Sequence, residues 1–231
     1  MAIVKTQDDY VTRILDNLDF VASEFIDRTA IITALKTAVD WYSSDKPYEK
    51  IHSITGDSTN RYVLPSDWSD SFSSIIYVEY PIGNENPTLL DLEDVIVWED
   101  ASAKQFQFKF IKPTSADTLL VKYALLHTMS STTNTVPDAD FEAVCFLGTA
   151  HAAWEVAGRF IRERSSTGGI GGIVNFQTQT NQYKSYAQEM LKHYYQRMGI
   201  NPKTGSKANL QIFDLDPQPA WGFDWLTHPR R

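Results

Sequence analysis

The sequence predicts an α+β fold: an antiparallel helical bundle, an inserted small antiparallel β-sheet or barrel, and an extended C-terminal arm. Three observations predict it. Apolar residues recur at helical spacing in the first 50 residues and again across 128–198. The stretch between them, 51–127, changes to strand-like runs bounded by turn residues. Beyond Gly199 neither period holds, yet large apolar side chains persist. These changes set four segments: helices 1 and 2 in 1–50, a β-rich insertion in 51–127, helices 3 and 4 in 128–198, and an arm in 199–231.

Thr6-Gln7-Asp8-Asp9 has the pattern of a capping box, a hydroxyl followed three residues later by an acid. Val11, Ile14, Leu15 and Leu18 then form one apolar stripe. Asp27 is positioned to cap a second helix with the stripe Ile31, Ile32, Leu35, Val39 and Tyr42, and Pro47 stops it. In the insertion, Ile51–Thr55 and Arg61–Leu64 flank Gly56-Asp57-Ser58-Thr59-Asn60 and read as a hairpin. Ser74–Tyr80, Val95–Trp98, Gln105–Phe110 and Thr118–Leu126 are further strands. Period two would place Phe106, Phe108 and Phe110 on one buried face, with Trp98 also in the core.

A polar loop, Thr128–Val136, leads to Pro137-Asp138-Ala139-Asp140, where proline and acids favour a helix start. The third helix runs to about Arg164, with Arg159, Arg162 and Arg164 at its negative end. Its small residues, Gly148, Ala150, Ala152, Ala153, Ala157 and Gly158, allow close helix approach, and Trp154 reads as core. Gly168, Gly169, Ile170, Gly171 and Gly172 break the chain before a last helix from about Val174 to Met198, which Gly199 caps. The glycine run lacks the Lys-Ser/Thr of a phosphate-binding loop and reads as an interhelical turn, a place to line a channel or touch a neighbour.

The arm is interrupted by Pro202, Gly205, Pro217, Pro219, Gly222 and Pro229, yet it carries Leu210, Ile212, Phe213, Leu215, Trp221, Phe223, Trp225 and Leu226. Disordered tails are poor in such residues. An apolar but irregular segment is explained by docking, against its own domain or a partner. Trp221, Phe223 and Trp225 alternate as an added strand would.

Charge and composition narrow the function classes. The 231-residue chain carries 29 acids against 21 bases, a net charge of -8, which argues against an electrostatic grip on nucleic acid but permits enclosing DNA without holding it. Cys145 is the single cysteine, so no internal disulfide and no multi-cysteine zinc site is expected. It sits among apolar neighbours and reads as a buried inert thiol. His151 and Glu155 share a helix face without the further ligands of a metal site. Glu93, Asp94, Glu99 and Asp100 read as a solvated face or channel lining. Trp68, after Pro65, reads as a local packing lid. No catalytic residue, cofactor or metal is expected. The opening residues lack a signal-peptide pattern and no run suits a membrane span, so a soluble protein made in a cytoplasm is expected.

Leu64-Pro65-Ser66-Asp67-Trp68 resembles the Leu-Pro turn that follows the first strands in the podophage-like tail-tube and adaptor group. Val136-Pro137-Asp138, continuing through Asp140-Phe141-Glu142-Ala143-Val144, resembles the opening of that group's third helix. With two short amphipathic helices in front and an aromatic helix and tail behind, the chain resembles the head-to-tail connector proteins of tailed bacteriophages, also called adaptor or head-completion proteins. The resemblance implies a homo-oligomeric ring, commonly of twelve subunits, beneath the portal protein at the virion neck. Such a ring extends the DNA channel, docks on the portal through C-terminal arms, and offers a platform to tail or neck proteins, with no membrane contact. A tail-completion or tail-terminator protein shares the composition and lacks only the portal contact. A third reading, from another class, is an enzyme acting on carbohydrate or nucleic acid, for which the sequence shows no specific carboxylate pair.

Overall fold

A computed structural model of the chain describes residues 5–18, 26–83, 88–99, 104–164 and 170–201. Four helices and six strands lie within them: α1 Gln7–Asn17, α2 Arg28–Asp45, β1 Tyr48–Thr55, β2 Arg61–Val63, β3 Ile75–Glu79, β4 Val95–Glu99, β5 Lys104–Phe108, β6 Thr118–Leu125, α3 Phe141–Arg164 and α4 Ile170–Met198. The fold class is α+β, as the sequence predicts.

Local chemistry sets the helix ends. The Asp9 carboxylate reaches back to accept the Thr6 backbone N–H at 2.7 Å, and the Asp27 side chain accepts from the Ala30 N–H at 2.7 Å. Each satisfies a donor at a helix start that has no partner inside the helix. At the other end of the bundle Gly199 adopts φ +67°, and the Ile200 N–H returns to the Tyr195 carbonyl at 2.9 Å, closing α4 with a Schellman turn. The helix starts at Ile170, so Ile170, Gly171 and Gly172 are its first turn and not part of a break.

α3 is the central element. Ala143, Val144, Leu147, Ala150, Ala152, Ala153, Val156, Ala157 and Phe160 are buried around its circumference, as expected of a helix enclosed by others. It packs against α1, α2 and α4. Gly148 lets α1 approach: a Cβ there would stand 2.6 Å from Ile14 Cδ1. Polar links add direction, from Arg13 to Glu142 at 3.2 Å and from Asn17 to Thr149 at 3.2 Å.

The insertion forms two three-stranded antiparallel sheets, ordered β1-β6-β3 and β2-β5-β4. Their inner faces share one apolar cluster, with Val78, Leu119 and Val121 from the first sheet and Tyr62, Phe106 and Phe108 from the second. The chain enters along β1 and leaves along β6. These two strands pair over their whole length, from Tyr48↔Leu125 to Thr55↔Thr118.

Three expectations are corrected here. β1 and β2 do not form a hairpin. The turn after β1 docks on the segment before β6, where the Gly56 N–H donates to the Asp117 carbonyl (2.9 Å) and the Ser58 N–H to the Pro113 carbonyl (2.8 Å), and this carries β2 into the other sheet. Phe110 is 80% exposed because β5 ends at Phe108, two residues short of the alternating run's end. Trp98 is not core. Register pairs it with Gln105 and places Val97 beside buried Phe106, so Trp98 lies on the outer face.

The two tight glycines give contrasting expectations. A Cβ on Gly56 would meet the Thr114 carbonyl oxygen at 2.2 Å, a backbone atom that cannot step aside, whereas at Gly148 it meets the end of a side chain. Gly56→Ala is expected to cost about 1–3 kcal/mol in urea denaturation. Gly148→Ala is expected to cost less, and to be rescued by Ile14→Val, which removes the opposing methyl.

Candidate functional site

The residues singled out in the sequence are placed unevenly. Leu210, Ile212, Phe213, Leu215, Trp221, Phe223, Trp225 and Leu226 lie outside the described residues, as do Gly168 and Gly169. Among the described residues two features stand out: a polar junction between bundle and sheets, and an exposed apolar strand edge.

The junction forms where the chain passes between the helical and β segments. Asp140, in the turn before α3, accepts hydrogen bonds from the Tyr42 hydroxyl (2.6 Å) and the Lys46 ammonium (2.6 Å) at the end of α2. Burial works against this carboxylate, but its bonds from Lys46 and Tyr42 outweigh that and hold it below the usual carboxylate range. His127, just past β6, bridges the same elements. Its Nε2 contacts the Lys46 carbonyl (3.0 Å) and its Nδ1 the Thr135 hydroxyl (3.1 Å). A carbonyl only accepts, so Nε2 carries the proton and Nδ1 accepts. The His127 backbone N–H donates to the buried Ser43 hydroxyl at 2.9 Å, and the Tyr42 and Tyr48 rings flank the imidazole at 5.0 and 5.7 Å. Burial lowers the His127 pKa. Both ring nitrogens are occupied, so the imidazole is a structural bridge and not a base presented to solvent.

The other titratable candidates are also structural. Cys145 is fully buried, and burial pushes its thiol well above the ordinary value, which keeps it protonated and unreactive. His151 lies between Trp41 (5.5 Å) and Trp154 (5.4 Å), with its Nε2 buried and unpartnered, and burial lowers its pKa. Glu155 pairs with Arg159 at 2.9 Å and not with His151. No group of three or more His, Cys, Asp or Glu side chains is placed to hold a metal ion among the described residues.

The Leu64–Trp68 turn is pinned to the sheet. Asp67 accepts from Lys50 (2.6 Å) and from the Tyr123 hydroxyl (2.8 Å), while Trp68 stacks on the Tyr123 ring at 6.0 Å. Trp68 thus serves as the packing lid expected of it. It also lines an open groove of about 790 Å³ between the two sheets, together with Leu64, Ile75, Leu92, Val95 and Val97.

β4 forms the rim of that groove and is an edge strand of its sheet. It is apolar and exposed on both sides, with Val97 45% exposed toward the groove and Ile96 47% and Trp98 39% exposed outward. Val63 continues the outer patch, and the Arg61 guanidinium lies 4.2 Å over the Trp98 ring. In the sequence Val95–Trp98 reads as a strand with Trp98 in the core. The available signal was its lack of alternation: in a three-stranded sheet with one packed face, every second residue of such a strand must face outward.

No family model and no curated protein matches the chain. Among solved structures it is similar to chains of three gene transfer agent assemblies. The neck of an empty particle computed with C6 symmetry gives 12% identity over 60% of this chain and 74% of that one, with a TM-score of 0.28. The virion of a native particle gives 11% identity over 64% and 80%, with a TM-score of 0.28. The neck of a native particle computed with C12 symmetry gives 12% identity over 63% and 78%, with a TM-score of 0.25. Scores this low do not establish a shared fold.

Two outcomes are expected at the junction and around His151. Asp140→Ala leaves the buried Tyr42 hydroxyl without an acceptor and is expected to cost about 1–3 kcal/mol in urea denaturation, with Asp140→Asn milder because it keeps an acceptor. The pH response has a definite sign. His127 and His151 have folded pKa values below their unfolded value of 6.5, so the unfolded chain binds more protons just below that pH. Their contribution to stability is complete above 6.5 and falls as pH drops beneath it, by up to about 1.4 kcal/mol per pH unit for each proton taken up on unfolding. His151→Phe, which cannot take up that proton, is expected to give a shallower decline between pH 6.5 and 5.

Proposed function

We propose that the chain is a structural protein of a tailed-phage neck, a head-to-tail connector that assembles as a ring beneath the portal, extends the DNA channel and offers an attachment platform to the tail. The observation that carries this reading is the exposed apolar edge at β4. An edge strand with Ile96, Val97 and Trp98 exposed on both faces is a contact surface, because uncovered edges of this kind pair with other chains. A bundle carrying such an edge, followed by an apolar arm, is built for assembly. The resemblance at Leu64–Trp68 and Val136–Val144 directs that assembly to the neck.

The arm residues Leu210, Ile212, Phe213, Leu215, Trp221, Phe223, Trp225 and Leu226 dock on the portal protein. At ~25 cal/mol per Å² and ~150–250 Å² for a buried aromatic ring, each anchor contributes a few kcal/mol before the cost of ordering the arm. Repetition around a ring, of about twelve copies by the resemblance, raises avidity without new contacts. The net charge of -8 suits a channel that repels phosphate and lets DNA slide. The segment of Gly168 and Gly169, with the first turn of α4 at Ile170, Gly171 and Gly172, faces the channel or a neighbouring subunit.

Deletion of Leu210–Arg231 tests this reading. The helices and sheets of the described residues all precede the deletion, so the shortened chain is expected to remain folded by far-ultraviolet dichroism while failing to join filled heads. Light scattering and electron microscopy of the full chain with purified portal are expected to show a ring bound to it. A shortened chain that still joins heads removes the arm from the reading, and a stable ring indifferent to portal transfers the protein to tail completion or termination.

A further inference from the structure

The β4 edge has a definite hydrogen-bonding polarity. The Lys109 N–H donates to the Asp94 carbonyl, and Val95 turns its own N–H back to the Leu92 carbonyl. Backbone groups alternate along an antiparallel strand. Asp94, Ile96 and Trp98 therefore direct theirs toward β5, and Val95, Val97 and Glu99 direct theirs outward, where no strand lies among the described residues. A strand added there would place alternate side chains over the groove of Leu64, Trp68, Ile75 and Leu92, and the others beside Ile96 and Trp98 on the outer face.

The chain itself carries a segment of that pattern. In Trp221-Gly222-Phe223-Asp224-Trp225-Leu226 the three aromatics alternate, and with those over the groove Asp224 falls on the outer side. There the Arg61 guanidinium stacks on Trp98 and meets no carboxylate among the described residues. The span from Asn201 to Trp221 extends to about 65 Å at ~3.3 Å per residue. That exceeds the roughly 43 Å length of α4, the longest helix, at 1.5 Å per residue. We propose that, before assembly, Trp221–Leu226 pairs with β4 of its own chain as a fourth strand of the β2-β5-β4 sheet. Two apolar surfaces that would each aggregate alone thus cover one another until a partner displaces the arm. The inference rests on reading the C-terminal segment as an arm and requires no portal.

Hydrogen exchange on the full-length chain, free of any partner, tests it against the triple variant Trp221→Ser, Phe223→Ser, Trp225→Ser. The Val97 and Glu99 amides are expected to exchange at least about tenfold faster in the variant, while those of Gln105 and Gln107, which face β4 within the sheet, remain unchanged. Val97→Pro removes only an outward-facing N–H, and is expected to expose the amides of residues 222–226 while leaving Gln105 and Gln107 protected. Equal exchange of Val97 and Glu99 in the full chain and the triple variant overturns the proposal. So does protection that rises with protein concentration, since a second copy would then supply the strand. Failure to join heads after arm deletion, with these amides protected in the intact chain, leaves both readings standing; loss of protection alone removes only this one.

Discussion

The Asp140 carboxylate organises the passage between the two halves of the molecule. It is reached by Tyr42 and Lys46 from the end of α2 and stands at the start of α3. A partly buried carboxylate is stabilised when its lone pairs are used, and a buried phenol is tolerated only when its proton has an acceptor. Each group therefore fixes the other. His127 repeats the logic on the strand side, tied to the Lys46 carbonyl, Thr135 and Ser43. Together these bonds set where α2 stops, where β6 ends and where the central helix begins. The apolar packing of α3 supplies most of the cohesion, but packing is directionless, and the hydrogen bonds give it orientation.

The surface is governed by a different imbalance. Two three-stranded sheets enclose one small core, and their edges outnumber the elements available to cover them. β3 is met by the bridge from Glu79 to Leu89, and the loop after β1 is fastened to the Pro113–Asp117 turn. β4 has no such cover among the described residues, although it exposes Ile96, Val97 and Trp98. Charged residues commonly protect exposed edges. Here the apolar sequence points to contact as the purpose of the strand.

What could be read from the sequence was what depends on neighbours along the chain. Thr6 with Asp9, Asp27 with Ala30, and Gly199 are short-range devices, and the stripe from Ile31 to Tyr42 is set by helical period alone. Strand identity was legible for the same reason, but strand partners were not. The separation of β1 from β2 depends on Gly56 meeting Thr114 and Asp117, a contact across the sequence that no turn motif announces. Trp98 was misjudged because Val95–Trp98 has no alternation to reveal which residues face inward. Phe110 lies outside because β5 stops at Phe108, and the alternation of phenylalanines continues past the end of the strand. The Tyr42–Asp140 pair and its histidine bridge gave no local signal, being formed by residues ordinary in their own surroundings.

The full-length pairing of β1 with β6 has a mechanical consequence. Tyr48 and Leu125 are opposite one another, so the insertion joins the bundle through two adjacent strands at one end of the ladder. Tension between insertion and bundle runs along both strands in the same direction. It is shared by two covalent chains and places little shear on the hydrogen bonds between them. Such a stalk transmits a pull from sheet to helix without unzipping, and its bending is resisted by the junction at its base. The insertion can accordingly act as a lever on the bundle, with α3 receiving the load through the turn at Asp140.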